Sequence, residues 1–348
     1  MPRLTSLFRK YTHTFMLLGA ILVGSLLGQS SARISSFADD WLDFTILALV
    51  TLLFAEVPFS RVRLSRQDRP VLIALWIANF AVIPFLGYGL ARVFLHGHEL
   101  AMIGLVIYFM SPCTDWFLSF TRLAKGNTAL GMMFIPISMA TQLALYPIYI
   151  WLFTPNQVST QISQTGETIY GWFVIPVIIA AVIQLVGHYS PESVKKPLSR
   201  GISGLSMIAI LLVVVCVFAA NISTILEQAN LVPYILAAVF TFFVCTWFLA
   251  EGISNRLHLS YENHALLSMS TAARNAPLML AITMVAIPDQ PVIYAALVVG
   301  MLLEFPHLTL LTQLLHRRHS RMVASSRVSK DDSQELGSET STPGQIIW

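Results

Sequence analysis

The sequence predicts an all-α polytopic membrane protein: ten transmembrane helices as two inverted five-helix repeats, with broken helices 4 and 9 crossing at the centre. Three observations predict it. Of 348 residues, 55% are hydrophobic and only 11% charged, where a soluble domain carries roughly 25% charged residues. The apolar residues gather in runs of about 20, the length that crosses a bilayer as a helix. Polar marks inside those runs recur at one offset: Met110-Ser111 returns as Met269-Ser270 and Pro147 as Pro306, each 159 residues on.

The spans follow in order. Residues 12–28 form the first. Arg3, Arg9 and Lys10 ahead of it imitate a signal peptide, but nine more apolar runs follow and no small-residue cleavage site lies near Gly28, so it reads as a retained span. Its Ala20, Gly24 and Gly28 give a small-residue packing stripe. Spans 2 to 5 cover 41–59, 70–95, 99–121 and 129–153. Spans 6 to 10 cover 168–187, 202–221, 231–251, 262–287 and 290–315. Asn79 and Gln142 are lone polar groups in spans 3 and 5, suited to bonding between helices. The first repeat is 1–153 and the second 154–316. Five spans per repeat is an odd number, so the second enters from the opposite face. Residues 317–348, rich in Ser, Thr and charge, read as a disordered cytoplasmic tail.

Orientation follows from the cations. Eighteen of the 21 Lys and Arg residues fall on one side: the N-terminus, loops 60–69, 122–128, 188–201 and 252–261, and the tail. Arg33 and Arg92 alone mark the other side, and Arg274 sits inside a span. Both termini are therefore expected in the cytoplasm of a cell with this protein in its inner membrane. The net charge of +3 implies no polyanionic partner, and the composition excludes a soluble enzyme or a nucleic-acid-binding protein. No H-E-x-x-H or P-loop motif is present, so no enzyme, cofactor or resident metal is expected. The His96/His98 loop pair and the unpaired Cys216 and Cys245 add none. No sequence feature specifies an oligomeric state.

The candidate chemistry lies in the two interrupted spans. Span 4 breaks at Ser111-Pro112-Cys113-Thr114-Asp115, and span 9 over Thr271 to Pro277, through Arg274 and Asn275. Proline removes a helix donor, and backbone freed in lipid must find protein, water or solute. Interrupted helices at matching points of two inverted halves point to a binding site at the membrane midplane. Asp115 and Arg274 are also 159 apart. A charge at that depth is costly, so an Asp115–Arg274 salt bridge or shared hydrogen-bond network is expected. Glu304, halfway along span 10, is a candidate to carry a proton, bind a cation or pair with Arg274. Cys113, at the first break, adds a thiol beside exposed backbone.

These motifs resemble a known group. Pro112-Cys113-Thr114, followed by Thr121-Arg122-Leu123-Ala124-Lys125-Gly126-Asn127, is similar to the arsenite efflux permeases of the bile acid:sodium symporter superfamily. Thr271-Ala272-Ala273-Arg274-Asn275 resembles their broken ninth helix. Gly300-Met301-Leu302-Leu303-Glu304-Phe305-Pro306 resembles their Gly-x-Leu-x-Glu-x-Pro tenth helix. The resemblance implies a core of helices moving against a panel, with spans 4 and 9 crossing in the core. It implies that Cys113 and Glu304 match residues the arsenite branch needs, and that neutral arsenous acid leaves the cell in exchange for protons. A thiol suits a soft arsenic centre, which makes Cys113 the arsenite ligand candidate. Arg274 stands where sodium-coupled relatives carry an amide side chain. A fixed guanidinium at a would-be cation site argues for the proton over sodium as coupling ion. The other reading is a symporter or exporter of a small organic anion, with Arg274 receiving a carboxylate.

Overall fold

The computed structural model describes residues 12–56, 68–114, 116–153 and 166–339. Its elements are helical. They are α1 (Thr12–Ser30), α2 (Ala32–Glu56), α3 (Arg69–Ile77), α4 (Ile83–Phe94), α5 (Glu99–Phe109), α6 (Phe117–Leu123), α7 (Thr128–Phe153), α8 (Gly166–Tyr189), α9 (Glu192–Glu227), α10 (Val232–Leu257), α11 (Tyr261–Ala272), α12 (Ala276–Ala286) and α13 (Pro291–Glu339). Five stretches are long and apolar enough to cross a membrane: Arg69–Phe94, Thr128–Phe153, Gly201–Glu227, Ala229–Leu257 and Pro291–Ser320. Shorter apolar helices, among them Glu99–Phe109 and Ala276–Ala286, lie beside them. Large apolar side chains face outward along these helices, including Trp151, Phe240 and Phe248. A soluble protein rarely leaves so much apolar surface uncovered; a lipid-facing one requires it.

The helices pack in two groups that cut across the order of the chain. In one, α9 lies along α1 and α2, with α8 against α2. In the other, α5 packs on α13 and α4, and α10 on α11, α13 and α4. Close approach in the first group rests on small residues. A Cβ at Gly24 would lie 2.6 Å from the Val215 carbonyl oxygen, and one at Gly28 would meet the Ala219 carbonyl. In the second group, a Cβ at Gly104 would lie 2.5 Å from the Ile293 carbonyl, which fixes how tightly α5 crosses α13.

Between α3 and α4 the helix widens into a π-turn over Ala78–Val82. Pro84, in the first turn of α4, has no N–H for the carbonyl four residues back. That carbonyl, of Phe80, instead accepts from the Tyr149 hydroxyl of α7. The π-turn holds Asn79, which is fully buried. Pro147 and Pro306, the pair at the repeat offset, both sit inside continuing helices.

Several boundaries differ from the sequence reading, among them the starts of α2 and α9 and the end of α13. α2 begins at Ala32, ahead of the predicted start at 41, because an exposed helix end tolerates the polar Asp39, Asp40 and Asp43 that hydropathy counts against a span. The last helix runs on to Glu339, where the sequence predicts a disordered tail from residue 317. No proline interrupts 317–339, and extending an existing helix avoids the costly nucleation step.

Gly28→Leu is expected to destabilise the purified protein by about 1–3 kcal/mol through overpacking against α9. Gly19→Leu, where no atom lies within 4 Å of the added Cβ, is expected to be near neutral. Unfolding of both variants in detergent checks the contrast, and equal effects would contradict this packing.

Candidate functional site

The two broken helices meet backbone to backbone. Between α5 and α6 the chain is extended around Pro112, and between α11 and α12 it is extended around Arg274. The Asn275 N–H donates to the Ser111 carbonyl at 2.8 Å, and the Cys113 N–H to the Ala273 carbonyl at 3.1 Å. This antiparallel Pro112–Arg274 bridge is the one β-bridge among the described residues. Each unwound segment thus satisfies part of the other, which answers the requirement that backbone inside a membrane find a partner.

Local chemistry sets where the second break falls. Thr271 is still within α11, so the interruption starts after it. Asn275 caps α12, its side-chain oxygen accepting from the Leu278 N–H at 3.4 Å. Pro277 lies in the first turn of α12, where a missing N–H costs nothing. It starts the second half-helix and does not break the first. Asn275 also donates from Nδ2 to the Thr114 hydroxyl at 3.0 Å, joining the two breaks through side chains.

Arg274 is fully buried and grips four oxygens. Its Nη1 donates to the Phe109 carbonyl at 3.0 Å. Its Nη2 donates to Asn79 Oδ1 at 3.0 Å and to the Ser270 and Thr271 carbonyls, each at 2.8 Å. Phe109 ends α5, and Ser270 and Thr271 lie in the last turn of α11. One guanidinium therefore closes two helix C-termini, whose carbonyls are unpaired and partly negative. The Phe242 ring lies 5.5 Å from the guanidinium carbon. At most three N–H groups serve these four oxygens, since Nη2 shares two hydrogens among three acceptors; at about 1.5–3 kcal/mol per bond to a charged group, they match in order the cost of an arginine at bilayer depth, between about 2.5 and more than 10 kcal/mol. Asn79 is held in place by donating to the Leu75 carbonyl and to Ser270 Oγ.

Glu304 faces the same residue from its backbone side. Its Oε1 accepts from the Arg274 main-chain N–H at 3.0 Å and from Trp116 Nε1 at 3.1 Å, and its Oε2 from the Tyr108 hydroxyl at 3.4 Å. The carboxylate is 1% exposed. Gly300, one turn earlier on α13, leaves room for Tyr108, whose ring would lie 3.1 Å from an added Cβ. Of the roles the sequence leaves open for Glu304, the structure has a bond to Arg274 at its main-chain amide.

Trp116 links this cluster to a cavity of about 570 Å³. Its walls include Glu56 of α2, Ser203 and Ser206 of α9, and Thr309 and Gln313 of α13, with Trp116 and Phe305 at the same cavity. The cavity thus runs between the two helix groups. The Trp116 and Phe305 rings are 4.9 Å apart.

The structure brings Ser111, Pro112, Cys113, Thr114, Thr271, Arg274, Asn275, Pro277 and Glu304 to the two breaks or against them. Asp115 lies outside the described residues. The described partners of the Arg274 guanidinium are four neutral oxygens, and its Nε has none among the described residues. Cys113 is buried within electrostatic reach of Arg274 and Tyr108 and does not line the large cavity. Sequence reasoning missed Tyr108 and Trp116 as partners of Glu304, and Asn79 as a partner of Arg274. Only Asn79 carried a signal, as the lone polar residue of an apolar span.

A multi-pass membrane protein whose two interrupted helices meet around a buried acid and a buried base has the construction of a secondary transporter. The chain matches the sodium bile acid symporter family over residues 44–228, and it belongs to that family. It is a transporter and not an enzyme. A similar protein is the arsenical-resistance protein Acr3 of Corynebacterium glutamicum, 22% identical over 327 residues that cover 88% of each chain.

Asn79→Leu is expected to cost about 1–3 kcal/mol of stability by removing the buried side-chain bonds that join the π-turn to Arg274 and Ser270. Thermal unfolding of the purified variant checks this, and an unchanged midpoint would contradict the contact.

Proposed function

We propose that the protein exports a small neutral solute, arsenous acid, in exchange for protons carried by Glu304. The observation that carries the reading is the position of that carboxylate. It is buried, held by three donors, and joined through Trp116 to a cavity between the two helix groups. A proton on Glu304 removes the need for those donors to neutralise a charge, so loading and release of the proton would alter contacts on α5, α13 and the Arg274 backbone together. Movement of one helix group against the other would then expose the crossing to each side in turn.

Orientation follows from the cations. Leu123 and His316, which line the cavity, adjoin the Lys- and Arg-rich loop 122–128 and tail. By the positive-inside rule the cavity opens to the cytoplasm of an inner-membrane protein with both termini inside. Ten spans as two inverted repeats fit this arrangement. Phe117, the first residue of α6, and Ala276, the first of α12, stand 159 apart, the offset of the other matched marks. The substrate reading draws on the arsenical-resistance relative and on Cys113, a thiol at the first break suited to a soft metalloid. Thr114 and Asn275, bonded across the breaks, complete the proposed binding surface.

The organic-anion reading fares worse. Both terminal nitrogens of Arg274 are engaged by protein oxygens, and the residue is not part of the cavity wall. A carboxylate substrate would have to displace helix-capping bonds to reach it.

Everted membrane vesicles test the proposal. An acid-inside pH gradient is expected to drive arsenite uptake, and a sodium gradient is not. Cys113→Ser is expected to reduce uptake at least about tenfold, a loss of about 1.4 kcal/mol. Glu304→Gln is expected to remove the response to the pH gradient. Wild-type-like, gradient-driven uptake in Glu304→Gln would overturn proton coupling. Uptake of a small carboxylate with no uptake of arsenite would overturn the substrate.

A further inference from the structure

Arg274 sits in a cage with the chemistry of a monovalent-cation site. Its four described acceptors are neutral oxygens: the carbonyls of Phe109, Ser270 and Thr271 and the amide oxygen of Asn79, all at 2.8–3.0 Å. Three come from the ends of two half-helices, and the fourth from the π-turn. The Phe242 ring lies on one flank, where its electron-rich face attracts a cation. The Glu304 carboxylate accepts from the Arg274 main-chain N–H and is not among the described hydrogen-bond acceptors of the guanidinium. Broken-helix transporters bind sodium or protons with such C-terminal ends and unwound carbonyls. Carbonyl rings select monovalent cations in the same way elsewhere in membranes. This chain belongs to a family named for sodium symport, yet it fills the carbonyl cluster with a charge from its own Arg274 side chain.

We propose that the Arg274 guanidinium is a tethered ion occupying a monovalent-cation site, so that transport proceeds without a co-transported alkali cation, and that shortening this side chain opens the site to a free one. The inference rests on the crossing being the transport site. A tethered charge cannot travel, so it holds the two half-helix ends together in every state while the proton on Glu304 cycles. A dissociable cation at the same oxygens would make closure of those ends depend on the sodium gradient.

The experiment separates binding from transport. The thermal midpoint of purified protein is measured as sodium chloride replaces choline chloride at constant ionic strength. Wild type is expected to show no saturable response. Arg274→Ala is expected to be less stable in choline and to recover by at least about 4 °C at saturating sodium or potassium. Arg274→Lys, which keeps a tethered monovalent cation, is expected to stay indifferent. If Arg274→Ala cannot be recovered folded in choline, recovery in sodium-containing buffer supports the site. If it cannot be recovered in either salt, Arg274→Gln is read in its place.

A variant equally stable in both salts would overturn the proposal, as would a saturable sodium response in wild type or Arg274→Lys. Uptake measured on the same preparations distinguishes the two readings. Sodium-responsive Arg274→Ala alongside a wild type that moves no arsenite would sustain the cation site and sink the proposed function. Proton-driven arsenite uptake with no cation response in the variant would do the reverse.

Discussion

A single guanidinium closes the ends of two broken helices. Interrupting a helix at membrane depth leaves carbonyls that no water can satisfy, and this chain interrupts two at the same place. Arg274 answers both with one fixed positive charge, bonded to Phe109 at the end of α5 and to Ser270 and Thr271 at the end of α11. Without a cation there, the two sets of partly negative helix ends would repel each other across a short gap. The antiparallel bridge through Pro112 and the Asn275–Thr114 bond depend on that approach. So does the Arg274 N–H, which the same backbone geometry turns toward Glu304.

In the proposed mechanism the crossing separates its two charges by function. The arginine is locked by four bonds and lies away from the cavity wall. The glutamate is held by donors from three different segments and reaches the cavity through Trp116. On this reading static charge stabilises the unwound backbone, and titratable charge is left to carry the proton. In the proposed cycle the two helix groups provide the larger movement. One is drawn together by the glycine contacts of α1 with α9; the other carries both broken helices. The polar and apolar walls of the cavity lie between them, where relative movement would change access most. Family membership fits this division, while the tethered charge departs from what the family's name suggests about its ions.

Much of this was legible in the sequence because lipid imposes strong, regular demands. Apolar runs marked the spans, and prolines with nearby charge marked the two interruptions. Glu304 stood out as a lone carboxylate. What stayed hidden depends on angle and distance more than on composition. Tyr108 and Trp116 reach Glu304 from nearly two hundred residues away, and no spacing rule connects them. Asn79 was visible as an isolated polar residue, but its bond to Arg274 requires the π-turn that rotates it inward. Charge pattern suggested Asp115 as the arginine's partner, and that residue lies outside the described ones; charge pattern could not show that three helix-end carbonyls and the Asn79 amide oxygen also bond to Arg274. Pro277 looked like the cause of a break because proline usually is one; its first-turn position makes it a helix start instead. The long extension of α13 was missed because low hydropathy was read as disorder, although a helix already under way needs no apolar face to continue.

The central claim is that the two charges at the crossing have different duties, Arg274 fixed and Glu304 exchanging its proton as solute binds. Infrared difference spectroscopy of the protein in lipid, with and without arsenite, addresses it most directly. The account predicts a protonated-carboxyl signal that changes on arsenite addition and is missing from Glu304→Gln. A difference spectrum without any carboxyl change, or one that persists unchanged in Glu304→Gln, would contradict it.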